Sequence, residues 1–199
     1  MTVISRDLFY TRKLQLRFSL KKNNNIYFLF LIEKILFNLY SKNVDIFFSN
    51  LKLKWIYDQI DGEEIVNMNS LSFLEFKDKS LKKNLLDLLD SFSEVLSAEN
   101  KFDFINCFKR FNKTFNLIIK LNNEDFQTSL DFQILMFFYE NDHPFEESVK
   151  KTIELKKNKI DIFEKVFVDL YYKNYNVNKS KISKKLYLYK IFLHLLLKK

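Results

Sequence analysis

Carboxylates are the side chains here best able to do chemistry, because pairs of them on facing helices can hold Mg²⁺ against a diphosphate. The densest group is Asp58, Asp61, Glu63 and Glu64, which straddles the only glycine, Gly62. A helix break inside the group is a poor frame for a metal. Asp58 also falls four residues after Lys54, the spacing of a helical ion pair, so a solvated helix end accounts for the cluster. Asp58 and Asp61 stand as weak acidic candidates. Asp87 and Asp90 share one side of a helix opposite a leucine stripe and read as surface. Glu140 and Asp142 sit in a helix connection, where capping explains them. No two Asp residues lie four apart. Cys107 is the one cysteine, and His143 and His194 are the only histidines, too few soft ligands for a zinc site. Cys107 lies in an apolar helical pattern and reads as a buried, inert thiol. The residues alone assign no catalytic group, no metal ligand and no cofactor.

The elements that must position these groups are helices. The apolar spacing gives a first helix over about Ser5–Leu16, a second over Ile26–Tyr40, and a third ending at Gly62. In the third, Phe48, Leu51 and Trp55 share a face, so Trp55 is expected to be buried against the second helix. Residues 63–79 read as mostly irregular. A fourth helix, Ser80–Leu96, carries Leu81, Leu85, Leu88, Leu89, Phe92 and Leu96 on one stripe. A fifth, Phe102–Leu121, has Phe104, Phe108, Phe111, Phe115 and Ile118 as its seam. Asn123 reads as the N-cap of a sixth helix, with Glu124 and Asp125 in its first turn, and Pro144 as the first residue of a seventh. Two more follow over Ile160–Tyr175 and Ile182–Leu197. About nine helices in one all-α bundle, residues 1–199 as one domain, is the expected architecture.

Composition agrees. The chain has 199 residues, 47% of them hydrophobic, with one Gly and one Pro. Extensive β-hairpin structure is therefore disfavoured, and a Gly-rich phosphate loop is excluded. Abundant Lys, Asn, Ile and Phe have the look of an AT-rich genome, which inflates basic and aromatic counts without functional meaning. A single cysteine suits a reducing compartment, the cytoplasm or mitochondrial matrix. The longest apolar run, Ile26–Ile32, is far short of the roughly 20 residues of a membrane span, so a soluble or peripheral, non-secreted protein is expected. Net charge is +8, yet residues 150–199 alone carry +10 from fourteen Lys against four acids, leaving −2 for residues 1–149.

The order of residues adds a resemblance. Asp7-Leu8-Phe9-Tyr10, Phe18-Ser19-Leu20-Lys21-Lys22, Ile26–Leu31 and the Trp55 helix through Asp58 and Ile60-Asp61 are similar to the opening helices of squalene/phytoene synthase-like proteins. The likeness covers about residues 5–62. It implies an isoprenoid-synthase bundle, and for an active member a prenyltransferase whose two acidic helical motifs hold Mg²⁺. The first motif would fall at Phe37, Asn38, Leu39, Tyr40 and Ser41, which include no carboxylate; Glu33 and Asp45 flank them in isolation. The resemblance therefore implies a shortened, degenerate, non-catalytic member with a lipid-binding or respiratory-complex-assembly role. Its alternatives are an active prenyltransferase using displaced carboxylates, with Mg²⁺ as cofactor, and a helical membrane-peripheral adaptor.

Two surfaces complete the reading. Tyr27, Phe30, Phe37 and Trp55 could line a prenyl-lipid pocket, although aromatics at helical spacing more often form core. The last helix carries Lys184, Lys185, Lys190 and Lys198 among leucines, a pattern that suits an anionic membrane or an acidic partner as well as a solvated bundle helix. Nucleic acid is disfavoured, since Lys prevails over Arg and no binding motif accompanies the charge.

Overall fold

The computed structural model describes residues 8–18, 20, 24–40, 45–62, 79–122, 126–152, 161–175 and 181–197. Among these, every regular element is helical: α1 (Tyr10–Phe18), α2 (Asn24–Leu39), α3 (Ile46–Asp61), α4 (Lys79–Leu96), α5 (Lys101–Leu121), α6 (Leu130–Glu140), α7 (Glu146–Lys150), α8 (Ile162–Leu170) and α9 (Lys184–Leu197). α8 runs on into a wider π-type stretch, Tyr171–Tyr175. The all-helical expectation holds. The expected starts at Ser5 or Asp7, the Asn123 cap with Glu124 and Asp125, the stretch 63–78 and Lys198 lie outside the described residues.

α4 and α5 are the frame. All six apolar residues of the α4 stripe are buried, and so are all five of the α5 seam. Asn100 starts α5 by accepting hydrogen bonds from the backbone N–H groups of Phe102 and Asp103, at 3.0 and 3.1 Å. The short connection lays the two helices along each other, as an αα-hairpin does. Against this pair pack α2 and α6, both apolar nearly all round and therefore central. α6 buries seven consecutive side chains, Phe132–Phe138. Phe37 of α2 sits at the middle, its ring 5.3–6.1 Å from those of Phe9, Phe92, Phe108, Phe111 and Phe137. Tyr187 ties α9 to this body: it is buried and donates its hydroxyl hydrogen to the Phe163 carbonyl oxygen, beside Thr11.

Several boundaries differ from the sequence reading. Leu8 and Phe9 are buried but not helical, so α1 starts at Tyr10 and runs on to Phe18. α6 starts at Leu130 under Ser129, whose hydroxyl accepts from the Phe132 N–H at 3.2 Å. Residues 126–129 form no regular element instead, because the Thr128 N–H is claimed by Asn116 and the Ser129 N–H by Glu164. Pro144 lies in a turn two residues before α7. Gly62 does follow the last residue of α3, but in extended backbone (φ −62°, ψ 149°) and not in a left-handed turn.

The main correction concerns Trp55. It is 49% exposed, and Leu51 and Phe48 stand out with it. α3 buries the opposite face, Ser49, Leu53, Ile56 and Ile60, against α4 and α2. Ser49 joins α3 to the end of α2, its hydroxyl donating to the Leu39 carbonyl at 2.7 Å. α3 has two apolar faces, and packing selects the aliphatic one.

Candidate functional site

The polar centre of the bundle is Arg12, a residue that the sequence presents only as an interruption of an apolar run. Its side chain is fully buried. The guanidinium meets the Glu33 carboxylate of α2 fork to fork, with Nε to Oε2 and Nη2 to Oε1 both 2.7 Å. Nη1 donates to Glu164 of α8 at 3.0 Å, to Thr128 at 2.7 Å and to Gln15 at 2.9 Å. Phe30 and Phe132 close over the cation, their ring centroids 4.5 and 4.8 Å from Cζ.

The carboxylates are satisfied too. Glu33 also accepts from Gln133 at 2.6 Å; Glu164 accepts from Gln15, from the Thr128 hydroxyl and from the Ser129 N–H. Two acids thus oppose one cation in a space without solvent. Burial works against the Arg12 charge, but Glu33 and Glu164 more than offset it and hold the guanidinium above its ordinary pKa. Burial pushes the Glu164 carboxyl up, with Arg12 pulling it back. The segment 126–129 has no regular structure of its own, and the Thr128 hydroxyl and Ser129 N–H belong to this network.

The sequence candidates fall elsewhere. Asp58 is exposed and pairs with Lys54 at 3.9 Å, as its spacing implies; Asp61 pairs with Lys82 at 3.6 Å. Neither faces the bundle centre. Among the described residues no group of three or more His, Cys, Asp or Glu side chains is placed to hold a metal ion. Phe30 and Phe37 are fully buried in the aromatic core, Tyr27 is half-buried, and Trp55 faces outward, so these four do not converge on one pocket. A cleft of ≈ 210 Å³ opens among α1, α6, α8 and α9 beside Tyr10, Tyr139 and Tyr187, below the ~300–1,000 Å³ typical of ligand pockets. Cys107 is buried, with Arg110 Nη2 at 3.6 Å from its sulfur.

His143 is a buried titratable group outside this network. Its ring lies 4.7–5.7 Å from those of Tyr40, Phe104, Phe137, Phe138 and Phe145, and Nδ1 accepts from the Phe145 N–H at 3.2 Å. Burial lowers its pKa to about 4, against a smaller pull upward from Glu146. The imidazole is neutral at pH 7.

On α9 the lysines do not form one face. At about 100° per residue, Lys184, Lys185 and Lys190 point in three directions. Lys184 and Lys185 are exposed at the start of the helix, Lys184 with its ammonium 5.7 Å from the Tyr10 ring, and Lys190 is half-buried. What faces outward is apolar: Leu188, Tyr189, Phe192, Leu195 and Leu196. No helix among the described residues is long and apolar enough to cross a membrane. Compared with family models, with curated proteins and with solved structures, the chain matches none.

Proposed function

We propose that this chain is a shortened, non-catalytic protein of the squalene/phytoene synthase-like type that works peripherally at anionic lipid surfaces. The observation that carries this is the outward row on α9, Leu188, Tyr189, Phe192, Leu195 and Leu196, with Lys184 and Lys185 exposed at its head. An apolar stripe joined to lysines is what an interfacial helix presents to acyl chains and phosphates together. Each lysine near an anionic surface adds up to about 1 kcal/mol. Screening over about 8 Å at physiological salt weakens that attraction as salt rises. The intact chain is expected to sediment with phosphatidylglycerol vesicles, less as salt increases, and little with phosphatidylcholine. Changing Lys184, Lys185, Lys190 and Lys198 to Gln lowers the bound fraction on the anionic vesicles. Equal binding by both proteins, or none by either, overturns the reading.

A second reading is an enzyme with displaced carboxylates, favoured by one feature: Glu33 and Glu164 face each other from different helices. Against it, Arg12 stands between them and their oxygens are occupied. Ionising a prenyl diphosphate needs cationic charge on the leaving group, worth several kcal/mol of barrier. Purified protein is expected to release no diphosphate from farnesyl or geranylgeranyl diphosphate with Mg²⁺. Metal-dependent turnover lost in Glu33→Gln, or in Asp58→Asn with Asp61→Asn, would install the enzyme reading instead.

A further inference from the structure

We infer that the outward face of α3 is where two copies of this chain meet, the helices antiparallel about a two-fold axis close to Trp55. This contact needs no lipid and concerns a different helix from α9. Phe47, Phe48, Leu51 and Trp55 are 62, 56, 47 and 49% exposed. At about 100° per residue they fall within one arc of roughly 100°. Such a row of large side chains left in water marks an interaction surface. It is not the edge of the core, since α3 buries Ser49, Leu53, Ile56 and Ile60 on its other side.

Charge says which partner fits. Asp58 lies inside the arc and reaches Lys54, on the same edge, at 3.9 Å, while Lys52 stands on the opposite edge. Over α3 and its cap, Asp45, Asp58 and Asp61 outnumber Lys52 and Lys54, so the face does not select an anionic surface. An edge bearing both signs matches a copy of itself. In a two-fold contact, residue i meets j while j meets i. Antiparallel helices face each other by the same edge. An axis near position 56 therefore sets Lys54 against Asp58 of the second copy, and Asp58 against its Lys54. The acid within the row is then paired when water leaves, as a buried charge requires. Trp55 lies about 1.5 Å of rise from that axis, beside its counterpart.

The area suffices. With a large side chain offering about 200 Å² when fully exposed, the four present about 400 Å² of apolar surface. Homodimer interfaces are about 65% apolar, so a patch built on this row covers about 600 Å² of each copy. The total, about 1,200 Å², clears the ~1,000 Å² that a specific interface needs. A patch of that size reaches about 14 Å from its centre, as far as Phe47 at nine residues' rise.

The experiment is sedimentation velocity of the full-length chain across the micromolar range, with Trp55 emission read on the same dilutions. Trp55 is the only tryptophan, so its emission reports on this face. The expected result is dissociation from dimer to monomer on dilution, with emission moving to longer wavelength. Phe48→Ser/Leu51→Ser, which keeps the reporter, should raise the dissociation constant about tenfold or more. Lys54→Asp alone and Asp58→Lys alone should each weaken self-association. An equimolar mixture of these two should restore it, since every charge then meets its opposite. A mixture no better associated than either variant overturns the proposal. So does a monomer at every concentration, whether its Trp55 emission is at long or at short wavelength. Unchanged mass with emission that shifts only on added phosphatidylglycerol vesicles assigns the row to lipid, which equally overturns it. A dimer lost in Leu188→Ser/Phe192→Ser but kept in Phe48→Ser/Leu51→Ser assigns the contact to α9 and sinks the α3 pairing.

Discussion

Arg12→Met is expected to lower the folding free energy by about 3–5 kcal/mol, measured by urea unfolding at pH 7. The loss comes less from the missing ion pair than from what is left behind. Glu33 and Glu164 would remain fully buried, facing each other without a counter-ion. A buried carboxylate in that position must take a proton or draw in water, and either is costly. The control is Arg12→Met combined with Glu33→Gln and Glu164→Gln. Glutamine keeps a carbonyl oxygen for Gln133, Thr128 and the Ser129 N–H, so the triple variant should recover much of the loss despite removing more charge. A triple variant no more stable than Arg12→Met would mean that shape and packing around the guanidinium matter more than charge balance.

The second large effect is a loss of stability in acid, traced to one imidazole. His143 titrates at about 4 in the native chain against 6.5 unfolded. Between these values the unfolded chain binds a proton that the native chain refuses. The contribution of His143 is therefore complete above pH 6.5, falls as the pH drops toward 4, and changes little below. The shift corresponds to about 3 kcal/mol over that window. Replacing His143 with Phe should flatten the curve by that amount. The variant also forfeits the acceptor for the Phe145 N–H, so it starts lower at pH 7. The quantity to compare is the slope of unfolding free energy against pH. Parallel slopes for the two proteins would show that the ring is protonated in its aromatic cage.

α4 and α5 were legible because each has one apolar stripe and a polar remainder, so periodicity has a single solution. α3 was not, because Phe48, Leu51 and Trp55 on one face and Leu53, Ile56 and Ile60 on the other both satisfy helical spacing. The heavier face is the natural choice from sequence, and the structure buries the lighter one. Size misleads here because the buried face also carries Ser49, whose hydroxyl finds the Leu39 carbonyl, a partner that spacing alone does not announce. The cap at Ser129 was hidden by a different cause. The backbone of 126–129 bonds to side chains on α5 and α8, and no local pattern announces partners so distant. Arg12 shows the same limit most sharply. A charged residue in an amphipathic run looks like surface until its partners at positions 33, 128 and 164 are known to converge. One signal was present: Glu33 interrupts a helix that is otherwise apolar nearly all round, and such an acid must either face water or find a cation.

The span of that convergence bears on how the chain is made. Arg12 and Glu164 are 152 positions apart. At about 5–20 residues per second, a ribosome takes roughly 8–30 s to add the second after the first. During that interval the guanidinium has no complete set of partners and the first helix cannot seat dry. The α4–α5 hairpin, whose partners are neighbours in sequence, can assemble long before. Synthesis thus imposes an order in which the N-terminal helix docks late, and its apolar side chains are exposed to chaperones until the C-terminal third arrives.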